Sequence, residues 1–226
     1  MTRQSFHEEL EKTELELLSL GELAATSVQR AIEALIQHDD EKAQMVIDAD
    51  DPIDELYLKI DGDVLRMLAL QSPVAEDLRL ISAILHCDLH LERIGDQAVN
   101  VAKLYLRTKD ARGSESMRQQ IEEMGTLVVS MVRTAMEAFG RRDLDLALEV
   151  PVMDDPVDRL NRATHLEALK LADDPSQLDW GLHMNMAARA LERVGDNAVD
   201  VAEQVGFMIT GEFREFTDAS HPVVLE

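Results

Sequence analysis

The sequence predicts an all-α protein made of two tandem, pseudo-symmetric three-helix bundles with six long helices. Three observations lead to this fold class. Apolar residues recur every three or four positions through most of the 226 residues, as they do on one face of an α-helix. No stretch keeps the alternation of apolar and polar residues that marks a β-strand. Two long strings return in the second half of the chain, which indicates an internal duplication.

Helical spacing is clearest in the first helix of each predicted bundle. The first series is Leu10, Leu17, Leu20, Ala24, Ala31 and Leu35, and the second is Met117, Ile121, Met124, Val128, Met131, Ala135 and Ala138. Both series place their apolar residues on one side of a helix, which predicts long amphipathic helices packed on a core. The methionines at helical spacing are most simply core residues.

Short stretches rich in turn-forming residues separate the predicted helices. They lie at 38–40, 71–73, 108–114, 140–143 and 173–175. Residues of these types favour turns over helix interiors. Ser72 precedes Pro73, and Asp174 precedes Pro175. We therefore predict that Ser72 and Asp174 each cap a helix whose first turn contains the proline.

The second half of the chain repeats the first at two offsets. The string from Ala31, AIEALIQHDDEKAQMVIDADDPIDEL, aligns with that from Ala135, AMEAFGRRDLDLALEVPVMDDPVDRL, at an offset of 104 residues. This alignment pairs Asp39 with Asp143. The string from Leu91, LERIGDQAVNVA, returns as LERVGDNAVDVA at an offset of 100 residues. The shorter offset indicates that the second half has lost about one helical turn between its second and third helices.

Each repeat unit is predicted to be one three-helix bundle. The first unit spans residues 1–109 and the second spans residues 115–212, with the region around Gly113 as the joint between them. Residues 213–226 follow as a C-terminal tail. The length of the chain suffices for one or two domains with a real core.

Composition and charge exclude several classes of function. The formal net charge of −23 argues against nucleic-acid binding, because a phosphate backbone repels an acidic surface. Basic partners or metal cations fit better. Cys87 is the only cysteine, so no intramolecular disulfide can form. The N-terminal residues lack the apolar core of a signal peptide, and no apolar run is long enough to span a membrane. We therefore expect a cytoplasmic protein.

Acidic residues form a stripe on the predicted third helix. At about 100° per residue, the positions on this stripe are separated from the apolar face. The polar stripe comprises Asp88, Glu92, Asp96 and Asn100, and the apolar face comprises Leu91, Ile94, Ala98, Val101 and Tyr105. We therefore expect the acids to face away from the core. The simplest interpretation is a solvated helix face. However, acids four residues apart repel each other, and solvation does not require the chain to repeat that arrangement.

Gly95 and Gly195 lie inside the two copies of this helix. A glycine there costs about 1 kcal/mol relative to alanine. This cost suggests that another segment comes close to the backbone. If the acidic segment of the second helix does so, Gly95→Ala or Gly95→Leu would lower metal affinity. On a merely solvated helix, Gly95→Ala would instead raise stability.

The second helix of each unit supplies a further pair of acids. Asp50 and Asp54, like Asp154 and Asp158, lie four residues apart. Four carboxylates in one patch would repel one another unless a cation bridged them. Ligation by oxygen alone suits Mg²⁺, Ca²⁺, Mn²⁺ or iron, divalent or trivalent, and zinc fits less well. An alternative for the adjacent acids is helix capping ahead of a proline, at Asp50 and Asp51 before Pro52 and at Asp154 and Asp155 before Pro156.

The histidines do not follow the duplication. His86 and His90 flank the first acidic string, but their counterparts are Met186 and Ala190. The Glu-x-x-His signature of di-iron bundles is absent. The sequence also contains no Gly-rich phosphate loop, dinucleotide fingerprint or hydroxyl–histidine–acid arrangement. We therefore predict that the protein is not an enzyme.

These motifs resemble the PhoU family of phosphate uptake regulators. The resemblance rests on LERIGD and LERVGD in the third helices, SPVAEDLRLI at 72–81 and ITGEFR at 209–214, so it covers nearly the whole chain. It implies a cytoplasmic helical protein, commonly a homodimer. Such a protein acts with the phosphate ABC transporter and a sensor histidine kinase as a negative regulator of phosphate-starvation genes.

The resemblance also implies metal ions or clusters bound by the paired acidic motifs. The matching positions are Asp50, Asp54, Glu92 and Asp96 in the first half, and Asp154, Asp158, Glu192 and Asp196 in the second. Asp200 joins the second set, whereas Asn100 occupies the equivalent position in the first. Asp88 corresponds to Ala188 in the same alignment. These departures predict that the two sites differ in affinity.

Three classes of function remain compatible with the sequence. A metal-binding regulatory adaptor is favoured, because the resemblance and the lack of catalytic groups agree. A carboxylate-bridged metal store or oxidase would need many ions per chain or redox turnover. A purely structural helical scaffold would tolerate neutral residues at the acidic positions.

Overall fold

The computed structural model describes residues 3–111 and 113–216. Over these residues the chain is helical and forms no strand, which confirms the predicted all-α class. The helices are α1 (Arg3–Gln37), α2 (Asp40–Asp48), α3 (Asp50–Leu70), α4 (Glu76–Thr108), α5 (Glu115–Arg141), α6 (Leu144–Leu169) and α7 (Pro175–Thr210). Only Ala49 separates α2 from α3, so these two segments correspond to the predicted second helix. Its counterpart α6 is continuous and shorter, which places the lost turn within the helix itself.

The duplicated aspartates Asp39 and Asp143 begin the second helix of each half. Each carboxylate accepts a hydrogen bond from the backbone N–H three residues later, at 2.9 and 3.1 Å. The preceding residues, His38 and Arg142, have φ values of 55° and 56°, so the chain turns sharply between the first and second helices in both halves. The duplication therefore preserves a complete helix-to-helix turn.

One of the two predicted proline-linked caps is present. The Asp174 carboxylate accepts hydrogen bonds from the N–H groups of Ser176 and Gln177, and Pro175 opens α7. The prediction for Ser72 is wrong. α4 begins at Glu76 after Ala75, which has a φ of 47°. A turn precedes the helix. The acids Glu76 and Asp77 in its first turn interact favourably with the positive end of the helix dipole.

The two halves join through antiparallel pairs of equivalent helices. In the α4–α7 pair, Arg79 Nε donates to the Met208 carbonyl oxygen at 3.2 Å, and His90 Nδ1 lies 2.9 Å from Asn197 Oδ1. Residues later in α4 therefore contact residues earlier in α7, as expected for two antiparallel helices.

The α1–α5 pair follows the same symmetry. A Cβ added at Gly21 would lie 2.6 Å from Met136, and one at Gly125 would lie 2.6 Å from Ile32. Gly21 and Gly125 are equivalent in the duplication, as are Ile32 and Met136. A pseudo-twofold axis therefore relates the halves.

The predicted apolar face of the third helix is buried. Its five residues, from Leu91 to Tyr105, are at most 3% exposed. The prediction that the acidic stripe faces away from the core is wrong for Asp88, which is 1% exposed, whereas Asp96 and Asn100 are exposed. In the second half, Glu192, the counterpart of Glu92, is 9% exposed. Asp61 on α3 lies within electrostatic reach of Asp88, and Asp158 on α6 lies within reach of Glu192, so the second helix of each half borders this edge of the stripe.

The predicted unit boundaries remain a prediction, and the C-terminal tail lies outside the described residues beyond Phe216. None of the described helices combines the length and the apolar content that a bilayer crossing needs.

Candidate metal centres

The structure brings the five predicted acids of the second half together. Asp154 and Asp158 from α6, with Glu192, Asp196 and Asp200 from α7, line one cleft of about 440 Å³. We call these five residues the second acid cluster. Pro151, Val199 and Phe216 complete the walls of the cleft. The i, i+4 spacing on two neighbouring helices thus directs the acids to a shared groove.

Two carboxylate oxygens in the second acid cluster are buried without a hydrogen-bond partner among the described residues. They are Asp154 Oδ1 and Glu192 Oε2. The other oxygen of Glu192 accepts a hydrogen bond from Arg189 Nη1 at 2.6 Å. A buried acceptor without a donor costs about 1–3 kcal/mol. A bound cation would supply the missing partner for both oxygens.

The carboxylates of this cluster also oppose each other's ionisation. Burial raises the pKa of Asp154 to about 7, and the negative charges of Asp196, Asp158 and Glu192 add to the rise. Burial likewise raises the pKa of Glu192 and of Asp196, with further contributions from acidic neighbours. A cation in the cleft would reverse these shifts by favouring the charged forms.

Other members of the second acid cluster have cationic or polar neighbours. Arg162 Nη1 lies 3.2 Å from an oxygen of Asp158, and His90 Nδ1 lies 3.2 Å from an oxygen of Asp200. His90 therefore reaches the cluster from α4 of the other half. His86, by contrast, lies 2.7 Å from the Ser82 carbonyl oxygen on its own helix.

The first half contains an equivalent set, which we call the first acid cluster. It comprises Asp50 and Asp54 on α3 with Glu92 and Asp96 on α4. Burial raises the pKa of Asp50, and the charges of Asp54 and Asp96 add to the rise. Burial also raises the pKa of Glu92, with contributions from Asp96 and Asp54. All four acids therefore lie within electrostatic reach of one another.

Both third-helix glycines lie under the acidic segment of the second helix. A Cβ at Gly195 would lie 2.5 Å from Asp154 Oδ1, whereas one at Gly95 would lie 3.1 Å from Ile53 Cδ1. The close approach predicted from the sequence therefore occurs in both halves. Only in the second half does it directly involve a carboxylate of the cluster.

The capping alternative does not account for Asp154 and Asp155. They lie inside the continuous helix α6, together with Pro156. In the first half, Asp50 and Asp51 occupy the first turn of α3, but the cap position is Ala49 and no side chain caps the helix. Neither half therefore uses these aspartates as side-chain caps.

The carboxylate oxygens of the two clusters and their burial fit a hard cation, but the side chains do not converge on one coordination point. Within residues 3–111 and 113–216, no three His, Cys, Asp or Glu side chains are already arranged to hold a metal ion. Mutual repulsion keeps carboxylates apart when no positive charge lies between them. A cation would have to draw the carboxylates of each cluster inward.

Three residues near these clusters were not identified from the sequence as functional. Asp88 is buried, its Oδ2 has no partner among the described residues, and burial raises its pKa to about 7. Glu203 Oε1 accepts a hydrogen bond from the backbone N–H of Phe216 at 2.5 Å, and burial raises the pKa of Glu203 to about 7. The segment after α7 therefore folds back so that Phe216 covers part of the second cleft. No periodic signal marks such an irregular segment.

Comparison with known proteins identifies similar chains along nearly the whole length. The PhoU domain family matches residues 17–105 and 121–205. The phosphate-specific transport system accessory protein PhoU homolog of Clostridium acetobutylicum is 35% identical over 96% of this chain and 100% of its own length.

Two crystal structures have the same fold. PhoU from Pseudomonas aeruginosa is 37% identical, with a TM-score of 0.87 over 92% of this chain and 100% of that one. The phosphate transport system regulatory protein PhoU from Streptococcus pneumoniae is 29% identical, with a TM-score of 0.85 over 92% and 99% of the two chains.

The glycine contacts predict different effects in the two halves. Gly195→Ala should weaken cation binding by the second acid cluster, because the new methyl group displaces Asp154 Oδ1. Gly95→Ala should have a smaller effect, since the side chain of Ile53 has to shift by only a few tenths of an ångström. Calorimetric titration of metal-stripped protein would measure both effects.

Gly62→Ala is the matched control for these glycine variants. A Cβ at Gly62 on α3 would meet no atom within 4 Å, so this change should raise stability by about 0.5–1 kcal/mol and leave cation binding intact. Unchanged cation binding in Gly195→Ala, together with a rise in its melting temperature, would contradict the role of the close approach.

Burial of Asp88 predicts a pH dependence of stability. Its folded-state pKa of about 7 exceeds the unfolded value of about 4. Between these values the folded chain holds a proton that the unfolded chain has released, so stability falls as pH rises. In metal-free protein, Asp88→Asn should flatten this fall by on the order of 1 kcal/mol between pH 5 and pH 8. Asp145→Asn, at an exposed position, should leave it unchanged in denaturant titrations.

Proposed function

We infer the function from the family, since the chain belongs to the PhoU family of phosphate-transport accessory proteins. We propose that this protein is a cytoplasmic, metal-binding regulator of phosphate uptake. It acts on the ATPase subunit of the phosphate ABC transporter and on a sensor histidine kinase. Through these contacts it keeps phosphate-starvation genes repressed when phosphate is plentiful.

The second acid cluster carries the metal-binding part of the proposal. Asp154 and Glu192 each hold a buried oxygen that lacks a donor among the described residues. The duplicated positions in the first half form a similar repelling set. Carboxylate oxygens are the ligands that Mg²⁺, Ca²⁺ and Mn²⁺ prefer, and iron also accepts them. We therefore assign the two clusters as two cation sites, of which the second is more enclosed and binds more tightly.

The proposal of an adaptor role rests on the surface of the helices. Leu58 and Leu65 lie two turns apart on α3 and are 65% and 54% exposed. Apolar side chains at this spacing on one helix face suit a contact with another protein. A homodimer and the two signalling partners are the contacts we propose. The role requires no catalytic step by the protein itself.

Metal titration tests the proposed sites. Chelator-stripped protein should bind Mn²⁺ at two classes of site. Glu192→Gln with Asp196→Asn should abolish the tighter class, and Glu92→Gln with Asp96→Asn should abolish the weaker one. The reason is that each pair removes two anionic ligands from one cluster.

The matched control is Asp145→Asn with Glu149→Gln, which neutralises two exposed acids four residues apart on α6. It should leave both classes of site in place. Unchanged stoichiometry in either cluster variant would show that the ligand assignment is wrong. Many ions per chain, or oxidation of bound iron coupled to peroxide consumption, would favour a metal store or oxidase.

Affinity capture tests the adaptor role. The tagged protein expressed in phosphate-replete cells should recover the transporter ATPase or the sensor kinase, as identified by mass spectrometry. The Glu192→Gln, Asp196→Asn variant should recover less if bound metal organises the contact surface. Recovery of neither protein, with both confirmed in the lysate, would count against the adaptor role.

A further inference from the structure

A basic cleft lies between α4 and α7 at one end of their antiparallel contact. Its volume is about 350 Å³, and its lining includes four cationic side chains and two side-chain amides. The cations are Lys103, Arg107, Arg189 and Arg193, and the amides are Gln97 and Asn100. The chain has only 22 Lys and Arg residues against 45 Asp and Glu residues. The cleft is therefore locally positive, whereas the protein as a whole carries a negative net charge.

The pseudo-twofold axis provides an internal comparison for this cleft. The equivalent position on the other side of the α4–α7 contact is filled, because His90 reaches Asn197 and Asp200. In the basic cleft, Ala190 replaces His90 and leaves the space beside Gln97 and Asn100 open.

The charges at the equivalent positions have also diverged. Lys103 corresponds to Glu203, Arg107 to Phe207, Arg189 to Leu89 and Asn100 to Asp200. Arg193 corresponds to Arg93 and is therefore common to both sides, whereas the space and the charges of Lys103, Arg107 and Arg189 occur together on one side of the axis only. Helix packing does not require these three charges, since the same packing on the other side lacks them.

Three of these four cations have no close ionic or hydrogen-bonding partner in the part of the chain that the structure describes. Among the described residues, Lys103, Arg107 and Arg193 form no ion pair or hydrogen bond through their side chains, whereas Arg189 pairs with Glu192 at 2.6 Å. Cations gathered without close ion pairs repel one another, and an anion between them relieves this repulsion.

We propose that the basic cleft binds a phosphate-type oxyanion. Guanidinium groups present several N–H donors in a plane that matches phosphate oxygens, and lysine and amide groups add further donors. The ligand is small, because acids border the cleft on both sides. Lys103 acts electrostatically on Asp50 of the first acid cluster, and Arg193 acts on Glu192 and Asp196 of the second. An extended polyanion such as nucleic acid would meet these carboxylates and be repelled.

This site goes beyond the proposed function and does not rest on metal binding. The variants that test it therefore lie at Lys103 and Arg107, neither of which belongs to an acid cluster. Metal is first removed by passage over a chelating resin, so that no anion can bind through a metal ion.

The experiment is calorimetric titration of the full chain with inorganic phosphate, pyrophosphate and glycerol phosphate in separate arms. The wild-type protein should bind at least one of them saturably at one site per chain, and more weakly as salt rises. Lys103→Gln with Arg107→Gln should weaken binding about tenfold or more, because each charged hydrogen bond contributes on the order of a tenfold factor. Ala190→His, which introduces the side chain found on the other side of the axis, should block the cleft with a similar loss.

The control is Lys12→Gln with Arg30→Gln, which removes one lysine and one arginine from exposed positions on α1. It should leave affinity within about twofold of wild type, since these charges are screened from the cleft. Binding of inorganic phosphate would identify the free ion as a ligand, and binding of glycerol phosphate alone would identify a phosphomonoester. Absence of saturable binding in all three arms, or equal losses in the control and the cleft variant, would overturn the proposal.

Discussion

The antiparallel contact between α4 and α7 is the constraint on which the other features depend. Each helix buries one apolar face in this contact. Its acidic stripe therefore lies on the side that borders the second helix of its own half. The acids then meet the Asp-x-x-x-Asp pairs of α3 and α6, and the two clusters form on opposite sides of the contact. The same pairing places His90 beside Asp200, so the two halves touch at a member of the second acid cluster.

The sequence was sufficient to predict the helices and the membership of both clusters, because these follow from periodicity and repetition. It failed where long-range packing decides the outcome. Ser72 has the residue type of a cap, but the helix starts later, after Ala75. Asp88 belongs to the acidic stripe by angle, yet neighbouring helices bury it. Phe216 donates a backbone hydrogen bond to Glu203 and packs against the core, contacts that no local pattern encodes.

The two clusters have diverged in their surroundings more than in their ligands. Phe216, whose backbone N–H donates to Glu203, encloses part of the second cluster. Lys103 stands at the position equivalent to Glu203 and opposes the charge of Asp50 in the first cluster. Enclosure strengthens electrostatic attraction to a cation, and a nearby lysine weakens it. The two proposed cation sites would therefore differ in strength without a change in the number of paired motifs.

The burial of the acids favours the proposed cation sites over a purely structural scaffold on energetic grounds. A scaffold gains nothing from Asp154 and Glu192 as they stand, because each holds an oxygen that has lost water without gaining a donor. The fold does not demand an acid on this stripe either, since Ala188 occupies the position equivalent to Asp88. Solvation would favour carboxylates that point outwards and apart. An arrangement that instead holds them close and half-buried at equivalent places in both halves is relieved by protonation, as the raised pKa of Asp154 indicates, or by a cation such as the one proposed above.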